Sequence, residues 1–236
     1  MRELRLRALA GVGEVVAGDD LTTLLLDALR ASGVSLDYHD LVVVTSKVVA
    51  KAEGRVVPFD GSSQAKDELI ARESVRVLRR RGTLRITETP HGFINANAGI
   101  DVSNTQPGTA VLLPRDPDRS ARRLRAALHR RTGVDVAVIV TDTFGRTWRH
   151  GVTDVALGSA GLTPVLDLRG TPDALGRVLE ATEVAIVDEI AGAANLVLAK
   201  AAHTPFALVR GLDDAFFGDG SVRDDIVRAA PDDLFR

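Results

Sequence analysis

Short, almost wholly apolar runs constrain this chain more than any other feature of it. Leu41-Val42-Val43-Val44, Val136-Ala137-Val138-Ile139-Val140 and Phe206-Ala207-Leu208-Val209 each have the length and β-branching of a buried strand. Glu183-Val184-Ala185-Ile186-Val187 reads as one more, followed by an Ala-rich helix to about Lys200. Helical periodicity fills the intervals. Leu21, Leu24, Leu25, Ala28 and Leu29 form a stripe that Asp19 or Asp20 can cap and Gly33 can end. Ala121, Leu124 and Leu128 mark a helix over 118–131, and a polar, Arg-rich stretch predicts another over 64–81. Leu84-Arg85-Ile86-Thr87 and Ala110-Val111-Leu112-Leu113 are strand-like, so 84–114 is mostly strand and the order is no clean βαβ alternation. The fold class is therefore mixed α/β rather than a simple doubly wound sheet. No repeat or long linker divides the chain, which reads as one functional unit over 1–236, in one or two structural lobes.

Composition narrows the function. The 236 residues are 45% hydrophobic and 26% charged, the balance of an ordinary globular chain. The apolar runs are too short to span a bilayer, and the charged start Met1-Arg2-Glu3-Leu4-Arg5 has no apolar signal core, so no membrane partner and a cytoplasmic location are expected. A net charge of -2 gives no pull toward nucleic acid, and 4% aromatics are too few for a stacking platform. The absence of cysteine excludes disulfides, thiolate metal sites and a cysteine nucleophile. Lysine is scarce beside arginine: Lys47, Lys51, Lys66 and Lys200 are the four.

Three segments place acidic or amide side chains after an apolar strand or a glycine turn: Asn95 to Asn104, which contains Asp101; Val140-Thr141-Asp142-Thr143-Phe144-Gly145-Arg146; and Ile186-Val187-Asp188-Glu189. Strand ends in α/β proteins open onto ligand crevices. Carboxylates gathered there repel unless a cation or proton intervenes, and hard oxygen donors suit Mg²⁺ or Mn²⁺. Read singly, each of these residues caps a helix or ties a turn. Arg146 and Arg149 follow Asp142 within one expected loop, beside Trp148, and a guanidinium fork suits phosphate. Thr45-Ser46-Lys47-Val48-Val49-Ala50-Lys51 could hold phosphates, but it is no Walker motif, and by itself it reads as a helix start with two exposed lysines. Gly11-Val12-Gly13 lacks the third glycine of a dinucleotide fingerprint and reads as a turn. His91 reads as structural, and Arg79-Arg80-Arg81 and His129-Arg130-Arg131 as solvated helix ends.

Together the motifs resemble those of the coenzyme F420-0:L-glutamate ligase family. The resemblance rests on Gly18-Asp19-Asp20-Leu21, on Val43 to Arg55, on Ile86-Thr87-Glu88-Thr89-Pro90-His91-Gly92-Phe93, on Asn97 to Asn104, on Thr141 to Arg149 and on Val187-Asp188-Glu189-Ile190. It implies GTP-dependent addition of L-glutamate to coenzyme F420-0, with further γ-linked glutamates. It also implies two divalent cations, Mg²⁺ or Mn²⁺, and an unusual two-part fold in an intertwined homodimer. By the same resemblance Asp101 and Asp142 correspond to the principal metal ligands and Thr143 to a ligand of the second metal. Ser46, Lys51, Asn104 and the stretch Val12-Gly13-Glu14-Val15 correspond to nucleotide contacts. A further nucleotide loop falls at about Leu198 to Ala202, where Lys200 replaces a metal-binding amide or acid and could contact phosphate. Some relatives carry a flavin-binding domain beyond this one, so the chain is read as a free-standing ligase or the ligase half of a fusion. The implied chemistry is acyl-phosphate ligation with Arg146 or Arg149 steadying the transferring charge. Two other readings stay open, a metal-dependent phosphohydrolase or phosphotransferase and a nucleotide-binding module without chemistry.

Overall fold

The computed structural model describes residues 3–198 and 204–234. Twelve strands and five α-helices are distributed along them. In order they are β1 (Arg5–Leu9), α1 (Leu21–Ala31), β2 (Leu41–Thr45), α2 (Ser46–Ala52), β3 (Val56–Pro58), α3 (Ser63–Glu73), β4 (Arg76–Arg81), β5 (Leu84–Glu88) and β6 (Ile94–Ala96). Then follow β7 (Thr109–Val111), α4 (Pro117–Thr132), β8 (Ala137–Arg146), β9 (Arg149–Ala160), β10 (Leu166–Asp167), β11 (Glu183–Val184), α5 (Ile186–Asn195) and β12 (Phe206–Arg210). The class is mixed α/β.

The central sheet has the order β1-β12-β2-β8-β9, with β2 and β8 parallel and the other pairs antiparallel. Both faces of its middle strands are buried, which is why they read as unbroken apolar runs. Val42, Val44, Val138 and Val140 face Leu25 and Leu29 of α1 and Leu124 and Leu128 of α4. The alternate residues Leu41, Val43, Ala137 and Ile139 face Ile186, Ile190 and Ala194 of α5. Each helix on the first face is closed by its own sequence. Asp20 caps α1 by accepting from Thr22 N–H, and Asp116 caps α4, with Pro117 in its first turn and left-handed Gly133 at its end. Arg131 at the end of α4 bonds Asp20 at 2.5 Å and so ties the two helices together.

Between α2 and α4 the chain builds a β3-β7 pair and a β4-β5-β6 sheet. The helix expected over 64–81 stops at Glu73, and Arg76 to Arg81 form β4 paired with β5. Arg79-Arg80-Arg81 are therefore strand residues, whereas His129-Arg130-Arg131 do end a helix. The strand expected over 183–187 is a two-residue pairing with β10, and Ile186 and Val187 begin α5.

Candidate active site

The carboxyl end of β2 and the middle of β8 open onto a cleft of about 410 Å³. Thr45 and Thr141 are register partners at this edge. Past Thr45 the chain turns into α2, which sets Ser46, Lys47 and Lys51 on one wall. Strand β8 runs on and supplies Asp142 and Thr143, and β9 supplies Asp154 opposite Thr143.

The facing wall depends on a strained turn. Asn97 and Ala98 are left-handed, with φ of 51° and 55°, and the Ala98 N–H is held by the Thr87 hydroxyl at 2.9 Å. A Cβ on the following Gly99 would lie 2.7 Å from the Leu113 side chain, so glycine is required there. The turn delivers Asp101, Ser103 and Asn104 to the cleft. The segment Val12 to Val15 closes the remaining side, its two valines buried beneath and Glu14 turned to α2.

Charge in the cleft is arranged in pairs. Lys47 Nζ lies 2.7 Å from Asp101 Oδ2 and also donates to Ser103 O at 2.6 Å and Ser103 Oγ at 3.2 Å. Asp101 Oδ1 accepts the Ser103 N–H at 2.6 Å. Burial works against the Asp101 charge, but Lys47 and Ser103 outweigh it and hold the carboxyl below the usual range. Lys51 Nζ donates to Glu14 at 2.6 Å and to Asn104 O at 3.3 Å. Asp142 is different. Burial pushes its carboxyl up to about 6, with the Asp154 and Asp101 charges adding to the rise and the Ser46 hydroxyl and Thr143 N–H opposing it. The Thr143 hydroxyl donates to Asp154 Oδ1 at 2.6 Å.

These are hard oxygen donors of negative charge, one of them held back from ionising chiefly by burial, and in kind they fit Mg²⁺ or Mn²⁺. Among the described residues no three His, Asp or Glu side chains stand together as a ready metal cluster. A lysine, not a second carboxylate, stands against Asp101.

The fold thus gathers Val12, Gly13, Glu14 and Val15, Ser46, Lys51 and Asn104, and Asp101, Asp142 and Thr143 around one cleft. Several expectations change. The two lysines of α2 are not exposed: Lys51 is 6% exposed and both ammonium groups are engaged. Arg146 and Arg149 do not follow Asp142 in a loop. They sit at the exposed tip of the β8-β9 hairpin, four residues and roughly 13 Å along the strand from Asp142 in the case of Arg146, and neither lines the cleft. Arg146 donates instead to His150 O at 2.8 Å. Asp188 accepts the Ala156 N–H at 2.9 Å, fastening α5 to β9 behind the cleft, and burial raises its carboxyl. His91 is structural, its ring bonded to the Pro114 and Arg115 carbonyls. Lys200 lies outside the described residues. In sequence Lys47 is only one of the two lysines of the Thr45 to Lys51 motif, and Asp154 belongs to no motif. Asp154 sits in a polar stretch of β9 that only the register with Thr143 gives meaning.

The family model for F420-0:Gamma-glutamyl ligase matches residues 11–211. The chain is 39% identical to the coenzyme F420:L-glutamate ligase of Methanothermobacter thermautotrophicus, over 96% of each chain. It is 39% identical to that of Methanopyrus kandleri over 94% of each. It is 38% identical to that of Halobacterium salinarum, over 97% of this chain and 94% of the relative.

Proposed function

From the membership of this chain in the F420-0:gamma-glutamyl ligase family, we propose that it joins L-glutamate to coenzyme F420-0, and then further γ-linked glutamates, at the expense of GTP. The observation that carries this reading is the single cleft in which Asp101 and Asp142, from separate segments, face Ser46 and Lys51. Such a cleft matches a polyphosphate in charge on one wall and a cation in charge on the other.

Ser46, Lys51, Asn104 and the Val12 to Val15 segment bind and orient the nucleotide. Lys200 is assigned to phosphate through the resemblance alone. Asp101, Asp142 and Thr143, with Asp154 beside them, would hold two Mg²⁺ or Mn²⁺ ions, which when bound neutralise phosphate oxygens and polarise the γ-phosphoryl group. The terminal carboxylate of the coenzyme side chain attacks the γ-phosphorus, and the bond to the bridging oxygen breaks to release GDP. The amine of L-glutamate then attacks the acyl carbon, and phosphate departs as the amide forms and the amine loses a proton. Holding carboxylate, phosphate and amine in line supplies much of the acceleration. Arg146 and Arg149 stand outside the cleft of their own chain, so their assigned role of steadying the transferring charge requires a homodimer in which one hairpin tip serves the partner's cleft.

Mass spectrometry of a reaction with F420-0, L-glutamate, GTP and Mn²⁺ tests the reading. A ladder of glutamyl additions, with GDP formed only when both other substrates are present, is expected. GDP without adducts would make the protein a phosphohydrolase, and nucleotide binding without GDP a binding module.

A further inference from the structure

We propose that Lys47 is an internal counter-cation: it holds the place of a divalent cation on Asp101 and thereby couples cation binding to nucleotide binding. The inference rests on the reading of the cleft as a nucleotide and cation site, and goes beyond it by naming what keeps the two ligands together.

All three donors of the Lys47 ammonium are used, on Asp101 Oδ2, Ser103 O and Ser103 Oγ. The other oxygen of Asp101 is taken by the Ser103 N–H. Each oxygen of Asp101 therefore already has a donor. A hard dication bonds carboxylate oxygen at about 2.0–2.6 Å. One on Asp101 would meet an ammonium already 2.7 Å from the same carboxylate. The Lys47 side chain is 23% exposed and that of Asp101 43%, so water screens that repulsion only in part. Lysine and dication therefore compete for Asp101.

The rest of the cleft agrees. Lys51, one turn further along α2, is committed to Glu14 and the Asn104 carbonyl and does not compete for Asp101. Among the described residues no carboxylate cluster stands ready for a metal. Lys47 lines the cleft, so a polyphosphate entering it offers the ammonium new acceptors. Once the lysine shifts, Asp101 is released to the cation, and the cation in turn shields the phosphate. Each ligand then raises the affinity of the other by the same factor. Lys47 is in this account a positioning residue that acts through Asp101.

The test is Mn²⁺ titration of the full chain, read from the electron paramagnetic resonance signal of free Mn²⁺, with and without a non-hydrolysable GTP analogue. In the wild type the analogue should tighten Mn²⁺ binding about tenfold. Lys47→Met should bind Mn²⁺ about tenfold more tightly than wild type without nucleotide, and the analogue should then tighten binding by a smaller factor than it does in wild type, since only direct cation–phosphate attraction is left. Lys47→Arg, which keeps the charge, should keep the coupling. Mn²⁺ binding to Lys47→Met that is no tighter than wild type overturns the proposal. If that variant does not fold, Lys47→Gln serves in the same titration, and wild-type Mn²⁺ affinity indifferent to the analogue overturns the proposal without any variant. If the analogue fails to bind at all, the nucleotide reading falls, and the Mn²⁺-only comparison still decides the role of Lys47.

Discussion

Thr141 is 1% exposed, lines the cleft, and its hydroxyl has no hydrogen-bond partner among the described residues. A buried hydroxyl left unpaired costs on the order of 1–3 kcal/mol. Thr141→Val keeps the shape and removes that cost, so it should raise the urea midpoint by an amount worth about 1 kcal/mol, while nucleotide titration shows weaker binding. A lowered midpoint would show that the hydroxyl serves the fold instead. Asp188 makes a second test. Burial puts its folded pKa above the ordinary value of a carboxyl. The folded state therefore binds the proton more tightly than the unfolded one, and stability is lost as pH rises from about 3.9 through the raised value. Asp188→Asn can still accept the Ala156 N–H but carries no charge. Its stability relative to wild type should improve between pH 4 and pH 7.5, as measured by urea unfolding at both; a difference that does not change with pH would contradict the assignment. In sequence Asp188 looked like a site residue because it follows an apolar run. Its role became visible only once that run was seen to begin a helix.

The elements that could be read from sequence were those whose burial leaves a period. Strands β2, β8 and β12 are covered on both faces, and α1 and α4 on one, so each prints its pattern. Strand β4 is a failure of the same rule. Its residues Arg76 to Arg81 are largely exposed, arginine favours helix, and pairing with β5 overrides that preference. The run 183–187 failed because a short apolar run is ambiguous by period alone. Asp188 and Glu189 stand in the first turn of α5, where acids favour a helix start. The β8-β9 hairpin looked like a loop because its outer half is polar and exposed. One joint between elements depends on a single hydrogen. A Cβ on Gly158 of β9 would lie 2.2 Å from the Pro117 carbonyl carbon at the start of α4, and beside it Asp118 accepts the Ser159 N–H at 2.8 Å. Gly158→Ala should destabilise by about 1–3 kcal/mol or more, read as a lower thermal midpoint. An unchanged midpoint would mean that α4 and β9 do not meet this closely.

Across the whole molecule, the candidate cleft could be read in its ligands and not in its pairing. Asp101, Asp142, Thr143, Ser46, Lys51 and Asn104 converge from three segments, which motif order suggests and only folding can bring about. No spacing rule says that Lys47 closes on Asp101 across 54 positions of sequence, or that Asp154 answers Thr143. The two arginines at the hairpin tip raise a question about assembly. If each tip serves the partner's cleft, then mixing Asp142→Asn protomers with Arg146→Ala/Arg149→Ala protomers, each inactive alone, restores ligation after subunit exchange. If the arginines act within their own chain, the mixture stays inactive. The most direct measurement is glutamyl transfer by Asp101→Asn and by Asp142→Asn at saturating Mn²⁺, each variant first shown to melt as a folded protein. If both carboxylates hold the cations, either change lowers turnover by about a hundredfold or more. Ligation near the wild-type rate from either variant would contradict that role.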